Sequence, residues 1–125
     1  PPEAALFCGV PMREILDGRT FTTAENTENG EVSDETTFSY HQRDNIVWAE
    51  YSGGSVVTGH LLGVIRPDGK LEIRYHHINT DGEVLAGTCV SSIVEAPNGR
   101  VELHESWQWF TGDRSAGSSR VVEVG

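Results

Sequence analysis

The chain has 125 residues, enough for one domain with its own core. Nine Lys/Arg stand against nineteen Asp/Glu, a formal net charge of −10, and this repels phosphate backbones and anionic lipid, so neither nucleic acid nor membrane is expected as a partner. Apolar residues make up 37% of the chain and Cys8 and Cys89 are its two cysteines, which excludes a disulfide scaffold, allows at most one disulfide and points to a reduced, cytoplasmic setting.

Residues 1–17 differ in composition from the rest of the chain and read as an N-terminal arm, or a plug across one end of the fold. Their opening, PPEAALFCGVPMRE, has neither the basic start nor the apolar core of a signal peptide. Pro11 to Leu16, ahead of the Asp17-Gly18 stop, is the one helical candidate. Beyond it turn signals recur: Glu28-Asn29-Gly30, Arg43-Asp44-Asn45, Ser52-Gly53-Gly54, Pro67-Asp68-Gly69-Lys70, Asp81-Gly82, Pro97-Asn98-Gly99 and Gly112-Asp113-Arg114. Asn-Gly and Asp-Gly tolerate the positive φ of tight hairpins. The segments between them are rich in Val, Ile, Thr, Tyr, Phe and Trp, and predict strands at 19–26, 35–42, 45–52, 55–66, 70–80, 83–95, 99–111 and 116–124. Evenly spaced, hairpin-linked strands form an antiparallel meander, and eight of them close without an exposed edge. The predicted fold is all-β: an eight-stranded antiparallel up-and-down β-barrel over residues 18–125, preceded by the short arm.

Side chains alternate along a strand, so each strand divides into two faces. On 70–80, Leu71, Ile73, Tyr75, His77 and Asn79 oppose a face of Lys70, Glu72, Arg74 and His76 that belongs in water. On 99–111 the inner row is Val101, Leu103, Glu105, Trp107 and Trp109; on 35–42 it is Thr36, Phe38, Tyr40 and Gln42; on 19–26 it is Phe21, Thr23 and Glu25. The rows on 70–80 and 99–111 begin apolar and turn polar or aromatic. They lie two strands apart and run the same way, so their polar ends share one end of the barrel. The prediction is a packed apolar floor below a half-open cavity lined by Tyr, His, Glu and Trp. Strands 45–52, 55–66 and 83–95 are apolar or small on both faces, leaving their inward sides open; on 45–52 the choice is Ile46, Trp48 and Glu50 or Val47, Ala49 and Tyr51. A homodimer packed through these strands would cover the outer apolar face.

Glu105 and His77 are the leading pair for chemistry. A carboxylate in a tryptophan-lined cavity has a raised pKa, and an imidazole beside it is a natural proton partner; a buried structural network is the competing reading. Tyr40, Tyr75, Trp48, Trp107 and Trp109, with Asn79, are candidates to hold a planar or apolar small organic ligand. No metal is expected: His76 and His77 face opposite ways, and His41, His60 and His104 add no ligand spacing. The acidic stretch Glu25, Glu28, Glu31, Asp34, Glu35 lacks the ligand alternation of a calcium loop and reads as solvated surface. No basic neighbour activates Cys89, and no GxSxG elbow, Walker loop or dinucleotide fingerprint occurs, so no cofactor is expected.

The runs GRTFTTAENTENGEV (18–32), NIVWAEYSGGSVVTGHLLG (45–63), LEIRYHHINTDGEVLAGTC (71–89) and LHESWQWFTGD (103–113) resemble a family of small bacterial calycin- or lipocalin-type barrels, many of which carry the label N-acetylglutamate synthase. The resemblance covers roughly residues 16–113 and implies a calycin/lipocalin-like barrel; it carries over no catalytic residues. The label implies acetyl transfer, whereas this chain has no Gly-rich loop leading into a helix to seat a pyrophosphate. The expected function is small-molecule binding in the half-open cavity. The alternatives are a cofactor-free isomerase, cyclase or hydratase using Glu105 and His77, and a structural dimer with a filled barrel.

Overall fold

The structure, a computed structural model, describes residues 13–124. Its strands, in chain order, are β1 (Thr20–Asn26), β2 (Thr37–Arg43), β3 (Ile46–Gly53), β4 (Val56–Ile65), β5 (Leu71–Asn79), β6 (Val84–Glu95), β7 (Val101–Trp109) and β8 (Ala116–Glu123). Each pairs antiparallel with the next, and β8 returns to β1, closing the barrel. The all-β meander expected from turn spacing is the fold that forms, and closure leaves no strand edge unpaired. The turns use the predicted chemistry. Asp44, at φ 55°, sits in the tight β2–β3 connection, and Gly53, at φ 112°, passes so close to the Glu35 carbonyl that a Cβ would collide with it.

Residues 13–18 close the lower end, where the β2–β3, β4–β5 and β6–β7 turns lie. Leu16 is fully buried and its N–H donates to Gln42 Oε1 at 3.0 Å, while Gln42 N–H donates to Asp17 Oδ1 at 2.9 Å. Arg13 reaches Glu95 on the far side at 3.0 Å. The helical stretch expected over 11–16 lies partly outside the described residues; the described part is not helical, and residues 15–18 form a turn. Cys8 and most of the expected arm also lie outside them.

The inner rows of β2, β5 and β7 are those predicted. Phe21, Leu71, Ile73, Val101, Leu103 and Val121 are buried and fill the lower half as an apolar floor. Two expectations fail. Glu25 is expected inside, but the β1–β8 register shifts between Thr23 and Glu25, so a bulge turns Glu25 outward onto Arg120 at 2.9 Å and brings Asn26 in opposite Ser119. Trp48 is a ligand-contact candidate by sequence, but β3 faces inward through Val47, Ala49 and Tyr51, and Trp48 stacks outside on His41 at 5.5 Å between ring centroids. The parity of β3 follows from its neighbour: inward Gly59 on β4 leaves the space that the Tyr51 ring occupies, and a Cβ there would lie 2.5 Å from the ring. Leu61 on β4 and Cys89 and Ser91 on β6 complete the inner surface.

Candidate functional site

The upper half of the barrel holds a cavity of about 60 Å³. Its walls are Tyr51 of β3, Tyr75 and His77 of β5, Cys89 of β6, Glu105, Trp107 and Trp109 of β7, and Ser119 of β8. The roof is the β1–β2 connection, which contributes Gly30, Glu31 and Val32.

Glycines set opposite aromatics shape these walls. A Cβ on Gly87 would strike the Tyr75 hydroxyl, and one on Gly117 would strike the Trp107 indole. The barrel interior is narrow at eight strands, so rings this large fit only where a neighbouring strand gives up its side chain. Trp107 and Trp109 lie 5.8 Å apart between ring centroids. Tyr75 and His77 meet Trp109 edge-on at 5.4 and 5.7 Å. The Trp109 Nε1–H donates to the Asn29 carbonyl at 3.4 Å, tying the wall to the roof.

His77 is buried between two partners. Tyr51 Oη lies 2.9 Å from Nδ1 and Glu31 Oε1 lies 2.6 Å from Nε2. The other Glu31 oxygen accepts from Asn79 Nδ2 at 3.0 Å, and Asn79 also donates to Glu83 at 2.9 Å while its Oδ1 accepts from the Asp81 and Glu83 N–H groups. The β5–β6 turn and the roof are thereby joined through one amide. Burial pushes the Tyr51 and Tyr75 hydroxyls and the Cys89 thiol well above their ordinary ranges, leaving all three neutral.

Glu105 sits deeper, its carboxylate surrounded by protein. Burial pushes its pKa up to about 7, against the stabilising hydroxyls of Ser119 and Ser91. Ser119 Oγ–H donates to it at 2.7 Å. The Tyr40 hydroxyl, nearly inaccessible, has no hydrogen-bond partner among the described residues; nor do Thr23 Oγ1 and the side-chain oxygen of Asn26.

Of the sequence candidates, Glu105, His77, Tyr75, Trp107 and Trp109 line the cavity together. Tyr40 lies inside the barrel without lining it, Asn79 acts through Glu31, and Trp48 is outside. Glu105 and His77 each hold other partners, Ser119 for one and Tyr51 and Glu31 for the other. Glu31, read as solvated surface, turns inward instead, because the connection it sits on folds over the barrel mouth. The signal for it was the length of that connection, residues 27–36, against tight turns elsewhere. Among the described residues no three His, Cys, Asp or Glu side chains converge to hold a metal ion.

A closed up-and-down barrel with a packed floor and an aromatic, carboxylate-bearing cavity at one end is a calycin-type barrel. The chain matches the family described as Avidin-like protein over residues 14–124 and belongs to it. Neither the curated proteins nor the solved structures hold a match to the chain.

Proposed function

We propose that this protein binds a small organic ligand in the upper cavity, with the faces of Trp107 and Trp109 as walls and Tyr75 as a further contact. One observation carries the reading: the lower half of the barrel is packed with apolar side chains, while the upper half spends the same inward positions on Glu105, His77, Ser119 and Asn26. Burying an uncompensated carboxylate opposes folding, so a barrel kept only for its structure would gain stability by filling this space. Membership of the Avidin-like family supports small-molecule binding in general. His77, fixed by Tyr51 and Glu31, orients the ligand.

The test is native mass spectrometry of the purified chain followed by denaturing extraction. A bound small molecule that is lost in Trp107→Ala and kept in Trp48→Phe supports the reading. One retained by both variants contradicts the placement.

A second reading is acid–base catalysis of the isomerase, cyclase or hydratase kind, favoured by a Glu105 pKa of about 7 beside an open space. Turnover lost in Glu105→Gln with ligand retention intact would separate it from binding. An acetyl-transfer reading needs a cradle for a pyrophosphate, and the cavity carries carboxylates and no Lys or Arg. The homodimer reading rests on Val57, Leu62 and Val84, exposed on outer strand faces, and sedimentation of the purified chain tests it.

A further inference from the structure

The ligand-binding reading leaves the chemical class of the ligand open, and the inference here rests on that reading and narrows it. The cavity is lined by two carboxylates, Glu31 and Glu105, and by no Lys or Arg. Glu31 is held by His77 Nε2 at 2.6 Å and Asn79 Nδ2 at 3.0 Å. Glu105 is not matched by a cation: its partners are the Ser119 and Ser91 hydroxyls, and Tyr40, Tyr51, Tyr75 and Cys89 around it are neutral. Arg13, Arg19, Arg66, Arg74 and Arg120 are committed to carboxylates other than Glu31 and Glu105.

Above this carboxylate stand the indoles of Trp107 and Trp109 and the ring of Tyr75. The face of an indole attracts positive charge through its quadrupole, and more strongly where water is excluded. A deep carboxylate short of a cation, under an aromatic wall, is complementary to one kind of head group.

We propose that the cavity takes an organic cation, an amine or amidine on a small apolar body, with the charged group directed at Glu105 and the body against Trp107 and Trp109. A ligand carboxylate in the same place would face Glu105 with no compensating charge. The proposal also fixes the pH response. Glu105 must be ionised to hold a cation, so affinity rises with pH through the neutral range; the other titratable groups facing it are His77 and Glu31, paired with each other, and the neutral tyrosines and Cys89.

The probes are benzylamine, benzyl alcohol and benzoate, matched in body and differing in head group, added to the full chain while the fluorescence of Trp107 and Trp109 is followed. At about pH 8.5 benzylamine should bind at least about tenfold tighter than either of the others, and the preference should shrink by about tenfold at about pH 5.5. Glu105→Gln should abolish the preference of benzylamine over benzyl alcohol. Where that variant does not fold, the wild-type pH series carries the same test. Equal or tighter binding of benzoate or benzyl alcohol, or a preference that survives either Glu105→Gln or the lower pH, overturns the cation while leaving ligand binding in place. Absence of saturable binding by all three overturns both.

Discussion

Glu31 Oε1 lies 2.6 Å from His77 Nε2, joining residues 46 apart in sequence, with the histidine buried and the glutamate at the barrel mouth. This contact fastens the β1–β2 connection over the cavity, and Asn79 holds the second Glu31 oxygen at 3.0 Å. Loss of His77 leaves Glu31 with Asn79 alone, and loss of Glu31 leaves the buried imidazole with Tyr51 alone. His77→Ala should therefore lower unfolding free energy by about 3 kcal/mol, since it leaves Glu31 held by Asn79 alone and the Tyr51 hydroxyl with only the His76 carbonyl at 3.3 Å. Glu31→Gln, which keeps a hydrogen-bond acceptor, should cost about 1 kcal/mol. Urea denaturation of the two variants checks the order, and equal costs would mean that the charge on Glu31 is not what the contact uses.

Opening of the roof should also be visible without unfolding. Amide exchange across residues 27–36 should accelerate in Glu31→Ala, while the floor strands β5 and β7 near Leu71 and Leu103 keep their protection. Uniform acceleration throughout the barrel would show that the connection and the barrel open as one unit.

Glu105 makes stability depend on pH in a predictable direction. Its pKa is about 7 in the folded chain, above the ordinary 4.5, so between those values the folded state binds more protons than the unfolded one. Stability is then highest in acid and falls as pH rises through this window, by on the order of 3 kcal/mol. Glu105→Gln removes the charge and keeps an acceptor for Ser119. It should be more stable than the parent at about pH 8 and no more stable at about pH 5. Parallel pH profiles for the two proteins would contradict the buried, cation-free placement of this carboxylate.

Gly117 is expected to be intolerant of any side chain, because its missing Cβ is where the Trp107 indole lies. Gly117→Ala should cost about 1–3 kcal/mol in overpacking and shift the tryptophan emission. Gly69→Ala makes the contrast: it has nothing within 4 Å, and its cost comes from φ +86° alone. Emission should not change there.

The barrel was legible because its turns and its alternation agree. On β5, Glu72, Arg74 and His76 can only face water, which forces Leu71, Ile73, Tyr75 and His77 inward; β7 is forced the same way by Glu102, His104 and Gln108. Where both faces are apolar the alternation has nothing to decide with, and Trp48 on β3 was misplaced for that reason. Glu25 failed differently: alternation assumes an unbroken ladder, and the shift after Thr23 breaks it. Glu31 lay beyond reach because a loop's acidic residues look solvated until the path of that loop across the barrel mouth is known. Tyr51 was an open alternative, decided by Gly59 on the next strand. The cavity could thus be inferred from two strands, whereas the network that closes it depends on contacts between segments distant in sequence.

The central claim is that the upper cavity takes a small organic ligand, and the most direct measurement is a fragment titration followed by the indole N–H signals of the three tryptophans in a two-dimensional nitrogen–proton spectrum. The account predicts fragments that shift the Trp107 and Trp109 signals saturably and leave that of Trp48, on the outer face against His41, in place. Fragments that bind by moving Trp48 alone, or a library in which no fragment moves Trp107 or Trp109, would contradict it.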